Sequence, residues 1–308
     1  MDKEFQLDCL ASGLQFPEGP VRLADGALLV TEIQRGTLTR IAADGAVSVL
    51  ATLGGGPNGA AIGPDGAVYV TNNGGSFHFH EQQGLTIPGP TPPEHEGGSI
   101  QRVDLASGEW RSLYTHCDGR RLIGPNDLVF DRSGGFWFTD HGCGTEDSRR
   151  FGGLYYARAD GSHIVCAVPH LFAPNGVGLS PDERVVYVAD TFLGRLWAFD
   201  VLEPGRVRQV SPFQPGRVIA NLPGCQFLDS LAVQADGQVC VATLLNGGIT
   251  VFDPADGSTR HVPVPDLLCT NLCFGGADMR EAWITASGTG KVYRTRWDRP
   301  GLRLNFNA

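Results

Sequence analysis

Phe16-Pro17-Glu18-Gly19-Pro20-Val21-Arg22-Leu23-Ala24-Asp25-Gly26-Ala27-Leu28-Leu29-Val30 recurs along the chain in altered form. The pattern is a Pro or Leu, an acidic or amide residue, a few small or apolar residues, an Asp-Gly turn and then an alternating apolar strand. It returns around Pro57-Asn58-Gly59, Pro125-Asn126-Asp127-Leu128, Pro174-Asn175-Gly176-Val177 and Leu228-Asp229-Ser230-Leu231. A degenerate sixth copy reads Cys269-Thr270-Asn271-Leu272-Cys273. Six units of about 40 to 50 residues indicate a propeller, because solenoid repeats are shorter and contain helices. A Gly-Gly or similar turn and a third strand follow in each unit, as in Gly247-Gly248-Ile249-Thr250-Val251-Phe252, which gives antiparallel blades of three to four strands.

The expected fold is therefore all-β: a six-bladed β-propeller, residues 1–308 forming one domain. The second unit is overlong at residues 76–97, a Pro-rich stretch without a strand pattern that is expected to be a long loop insertion over one face. The last unit is one strand short. An open blade edge is a template for aggregation, so the apolar segment Phe5 to Leu10 is expected to supply that strand and bring the termini together.

Composition agrees. The 42 glycines among 308 residues are about twice the usual share of ~7%, which argues against a mainly helical protein. With 42% hydrophobic residues, five Trp and 16 Phe, the chain carries enough apolar surface for a large core. A net charge of −9 without a basic cluster speaks against a nucleic-acid partner. Neither a secretory signal pattern nor an apolar run of membrane-spanning length stands out, so no membrane partner and a cytoplasmic location are expected. The eight scattered cysteines lack any C-x-x-C pair and read as reduced thiols.

The repeated acidic or amide position falls at the start of each blade's first strand, the strand that lines a propeller's channel. Glu18, Asn58, Asn126, Asn175, Asp229 and Asn271 should therefore converge at one end of the axis. All six carry a side-chain oxygen. A cluster of Glu, Asp and Asn oxygens without ligating His or Cys suits a hard divalent cation such as Ca²⁺ or Mg²⁺. For Asn58 and Asn271 the capping of a turn after the preceding residues competes evenly with that reading. Capping does not account for Glu18 and Asp229, which would repel each other without a cation or proton between them. Glu18, Asn126, Asn175 and Asp229 are the expected metal ligands.

Pro17-Glu18-Gly19-Pro20, Pro125-Asn126-Asp127-Leu128, Pro174-Asn175-Gly176-Val177 and Leu228-Asp229-Ser230-Leu231 resemble the metal-site segments of the gluconolactonase family that includes regucalcin and the luciferin-regenerating enzymes. The resemblance spans essentially the whole chain. It implies one catalytic divalent cation, Ca²⁺ ahead of Zn²⁺, Mg²⁺ or Mn²⁺, and a small-molecule lactone or related ester as substrate. Metal-dependent hydrolysis by an activated water then needs no Ser or Cys nucleophile, and no G-x-S-x-G element is present. Glu18 or Asp229 is expected to take the water's proton, with Asn126 and Asn58 near the substrate. The alternatives are a phosphotriesterase-like metal hydrolase, a non-catalytic cation-binding propeller and a metal-free enzyme of the strictosidine-synthase type. One position departs from the family. Regucalcin-like members place an Arg two residues before the third-blade Asn, whereas Gly124 stands here, with Arg120 and Arg121 upstream as substitutes or as a solvated turn.

His141, at the end of the third blade's second strand, is a candidate second-shell base or substrate contact. His78 and His80 alternate with Phe77 and Phe79 in the insertion. A partly exposed strand with aromatic residues facing the site explains that alternation better than a zinc cluster with His95. If Phe77 and Phe79 with Phe192 or Phe227 line the entrance, the substrate is less polar than a free sugar-acid lactone.

Overall fold

The computed structural model describes residues 6–307, and every regular element among them is a strand. Six antiparallel sheets follow one another along the chain. The first blade runs through Pro17–Arg22, Leu28–Glu32, Thr37–Ile41 and Val47–Thr52. Four further blades repeat this order, beginning at Pro57–Ile62, Pro125–Phe130, Pro174–Leu179 and Phe227–Val233. The sixth has Cys269–Gly275, Glu281–Ala286 and Lys291–Arg296, and its outer edge pairs with Asp8–Ala11 from the other end of the chain. This pairing overlaps the expected closing segment only at Asp8 to Leu10, and Phe5 lies outside the described residues.

A hairpin in each blade turns on chemistry visible in the sequence. At Asp25-Gly26 the carboxylate accepts the Ala27 N–H at 3.0 Å, and Gly26 takes a φ of +98° that a side chain would resist. Both faces of the blades are buried, because side chains alternate across a strand and each blade is sandwiched between two others. Leu28 and Val30 pack with Trp283 and Val292 of the last blade, whereas Leu29 packs with Val68 and Val70 of the second. The core is accordingly divided into six clusters at the blade interfaces, one per interface, and a smaller seventh of Phe16, Ile33 and Leu268 against which Phe77 and Phe79 pack. The richest in aromatics is between blades two and three, where Tyr69, Phe130, Phe136 and Phe138 meet with ring centroids 5.0 to 6.0 Å apart.

The insertion at 76–97 is not the irregular loop that its composition suggested. Phe79–Gln82 and Leu85–Pro88 form a two-stranded ribbon. Gln83 and Gly84 between them both take positive φ, 53° and 77°, the requirement of a tight two-residue hairpin. The ribbon is tied to the sixth blade by Thr86 N–H to Gly288 O, 2.9 Å, and to the third by Thr91 N–H to Gly144 O, 2.8 Å. At the opposite end of the channel the C-terminal segment lies across the blades. Leu302 N–H binds Val233 O, and Asn305 Nδ2 donates to Glu183 Oε1 at 2.6 Å.

Candidate active site

The same irregularity marks all six inner strands. Pairing with the second strand skips between Glu18 and Val21, Pro57 and Ala60, Pro125 and Leu128, Pro174 and Val177, Leu228 and Leu231, and Cys269 and Asn271. A bulge re-aims a side chain that regular pleating would send into a blade interface. Here it turns the repeated position toward the axis. Neighbouring inner strands come close enough that a Cβ on Gly19 would sit 2.4 Å from Asn58 O, one on Gly59 2.7 Å from Asp127 Cα, and one on Gly176 2.7 Å from Ser230 Cα. The glycine behind three of the six oxygens is thus a packing requirement. Hydroxyls stitch successive blades together: Thr31 donates to Asn58 O, Thr71 to Asn126 O and Thr139 to Asn175 O.

Glu18, Asn58, Asn126, Asn175 and Asp229 all line one cavity of about 660 Å³, together with His141. The first four are buried and Asp229 is half-buried, with an edge on the cavity. Glu18 Oε2 accepts from Gly19 N–H at 2.6 Å and from Asn271 Nδ2 at 2.7 Å. Its Oε1 is buried with no hydrogen-bond partner, and so is Asn126 Oδ1. Asn175 Oδ1 receives only a long bond from Ser230 Oγ, 3.4 Å. Oxygens withdrawn from water without partners cost about 1–3 kcal/mol each, so such a group at a pocket floor calls for a ligand. Among the described residues no three His, Cys, Asp or Glu side chains come together as a metal site; the cavity set is two carboxylates and three amides, of which Glu18 Oε1 and Asn126 Oδ1 are buried without a partner.

Burial raises Glu18 to about 7. Asp229 is pushed well above the usual carboxylate range, by burial first and then by the charge of Glu18. Asp127, beneath the ring, rises to about 8 for the same two reasons. His141 is driven down to about 3 by burial and then by Arg149, so the imidazole is neutral, and its Nδ1 is buried without a partner.

Two expected substrate contacts are not at the cavity. Arg121 is exposed on a short ribbon, Arg120–Arg121 pairing with His116–Cys117, and does not line the cavity. Gly124 has a reason to lack a side chain, since a Cβ there would lie 2.8 Å from Gly142 O. Phe79 packs behind the wall on Phe16, ring centroids 5.0 Å apart, while Phe77 of the same alternating pair faces the cavity and His78 and His80 point to solvent. Phe192 and Phe227 line it as expected. Asn271, one of the six repeat positions expected to converge, orients Glu18. Two contributors escaped the sequence reading: Thr191 Oγ1 receives Asn175 Nδ2 at 3.2 Å, and Arg149 lines the cavity from the segment after His141. Asp140 and Asp190, also buried, hold the loops entering their own blades: Asp140 accepts from Gly124 N–H at 2.8 Å, and Asp190 Oδ1 accepts from Ala173 N–H at 3.1 Å while its Oδ2 has no partner among the described residues.

The family model described as SMP-30/Gluconolactonase/LRE-like region matches residues 16–288, from the first ring segment to the end of the sixth blade's second strand. The chain belongs to this SMP-30/gluconolactonase/LRE-like family. A gluconolactonase from Zymomonas mobilis is 25% identical over 89% of this chain and 77% of that protein. Lactonase drp35 from Staphylococcus saprophyticus is 32% identical over 54% of this chain, which spans about half the length of that relative. The solved structure of a gluconolactonase from Xanthomonas campestris superposes with a TM-score of 0.75 at 25% identity, covering 96% of this chain and 90% of that one. Glu18, Asn126, Asn175 and Asp229 of the ring segments of this family member line the cavity of about 660 Å³.

Proposed function

We propose that this family member is a lactone-hydrolysing enzyme, a carboxylic ester hydrolase, that works with one divalent cation. The observation that carries the reading is the pair of unpartnered oxygens, Glu18 Oε1 and Asn126 Oδ1, at the floor of a cavity shared with Asp229 and Asn175. The residues fit such an ion. The donors are all oxygens, as a hard cation prefers, and two carboxylates supply charge, which places Ca²⁺ first and Zn²⁺, Mg²⁺ and Mn²⁺ behind it. Glu18, Asn126, Asn175 and Asp229 would hold it. When bound, the ion polarises an ester carbonyl and makes water a stronger nucleophile.

The remaining work belongs to the side chains. Asn271 and Gly19 N–H fix Glu18 Oε2, which leaves Glu18 little freedom to carry a proton away. Asp229, at the cavity edge, is the better proton acceptor for the attacking water. His141 is too weak a base for that role because burial keeps it neutral; its free Nδ1 accepts a hydrogen bond from substrate or water. The walls decide what enters. Phe16, Ile33, Phe77, Phe192, Phe227 and Leu268 line the cavity, favouring a lactone with an apolar body over a free sugar-acid lactone.

The test is a panel of aldonolactones, aromatic lactones and a fluorophosphate, assayed with wild type, Glu18→Ala and Asp229→Ala. Turnover of an apolar lactone by wild type, lost at least 100-fold in both variants together with bound metal, is the expected result. Full activity in either variant contradicts the ligand assignment, and turnover of the fluorophosphate alone reassigns the enzyme as a phosphotriesterase.

A further inference from the structure

Resting on the lactonase reading, we infer that Arg149 forms an anion-recognising subsite at the cavity mouth, so that the preferred substrate is an apolar or aromatic lactone carrying a carboxylate. Arg149 lies on the two-residue strand Arg149–Arg150, paired with Cys143–Gly144, and lines the cavity. Two of its nitrogens are already fixed. Nε donates to Phe172 O and Nη2 to His141 O, both at 2.7 Å. Nη1 has no acceptor among the described residues, and Arg149 joins none of the ion pairs found among them.

The guanidinium carbon lies 4.9 Å from the Phe192 centroid and 5.4 Å from that of Phe172, two rings set edge to face at 85°. Both rings are unusually open for their size, 45% and 37% exposed, and Phe151 beside Phe172 is 49% exposed. A half-buried cation with one donor free, set among exposed aromatic surfaces, matches a ligand that is apolar in its body and anionic at one end. The substituent would meet Arg149 while the ester bond reaches the ring of oxygens. Burial lowers the Arg149 guanidinium from its ordinary value, and the carboxylate of Asp190 works against that shift.

The experiment compares hydrolysis of a carboxyphthalide and its neutral carboxamide by the full-length wild type, Arg149→Met and Arg149→Lys. Wild type should have a KM about 10- to 100-fold lower for the carboxylate, the range expected of a hydrogen bond to a charged group. Arg149→Met should erase that difference by raising KM for the carboxylate more than for the carboxamide, and Arg149→Lys should restore part of it. Equal KM values in wild type, or equal KM losses for both substrates in Arg149→Met, overturn the subsite and leave the lactonase reading standing. If Arg149→Met does not fold, the salt dependence of wild-type kcat/KM decides: a carboxylate preference that fades with salt supports the subsite, and a salt-insensitive ratio overturns it. Failure of wild type to hydrolyse any lactone overturns the lactonase reading and this inference with it.

Discussion

Glu18 has one oxygen tied to the fold and one left bare, and burial has lifted its carboxyl to about 7. Between the ordinary value of 4.5 and 7 the folded protein holds a proton that the unfolded chain has released. Raising the pH through that window therefore removes stability from the metal-free protein, and a bound cation replaces the missing proton. The rise in Tm on adding Ca²⁺ should accordingly be larger at pH 8 than at pH 5.5. A rise of equal size at both values would show that the cation does not compete with this proton. The residues proposed as ligands were legible because each stands in a repeat, and a shared register converts six separate positions into one place. Arg149 was not legible. Its position depends on a two-residue ribbon and on the carbonyls of His141 and Phe172, none of which leaves a spacing in the sequence.

At the scale of the strand, the bulge and the small residue behind it act together. The bulge turns the oxygen to the axis, and Gly19, Gly59 and Gly176 let the adjacent inner strand approach. Gly176→Ala places a methyl 2.6 Å from Leu231 N and 2.7 Å from Ser230 Cα. Backbone cannot yield as a flexible side chain would, so a loss of about 1–3 kcal/mol is expected in chemical unfolding. Unchanged stability would mean that the inner strands separate more readily than their packing implies. The insertion shows where strand reading fails. Phe79–Gln82 and Leu85–Pro88 are four residues each; the alternation of Phe77 and Phe79 with His78 and His80 touched only the first, and the prolines that follow masked the second, although Gln83-Gly84 between them carries the turn signal. A tight hairpin followed by prolines is easily mistaken for a loop. Its function as a wall of the cavity, through Ile87 and Pro88, depends on attachments to two distant blades.

At the scale of the molecule the ring has one seam. Asp8–Ala11 pairs with Lys291–Arg296, and Ala11 and Leu14 pack in the interface between the last blade and the first. Deleting residues 1–11 exposes the edge of Lys291–Arg296 and opens that cluster, so Tm should fall by several degrees and aggregation should begin at lower temperature. A truncated protein that melts like the full chain would show that the seam is held elsewhere. Blade number could be read from six repeats alone, and so could the end of the channel where the oxygens gather. The C-terminal segment across the other end could not, because Leu302 and Asn305 belong to no repeat and find their partners in blades five, three and four. The C-terminal segment crosses that end, while Glu18 and Asp229 line the cavity of about 660 Å³, and the proposed metal assignment there is the claim on which the account rests. Its most direct test is to strip the protein with a chelator, add Ca²⁺ in known amounts, and follow bound metal by elemental analysis and lactone hydrolysis in the same samples. Activity that is absent in the stripped protein and rises in step with metal to a plateau at about one ion per chain is the predicted result; full hydrolysis by the metal-free protein would contradict it.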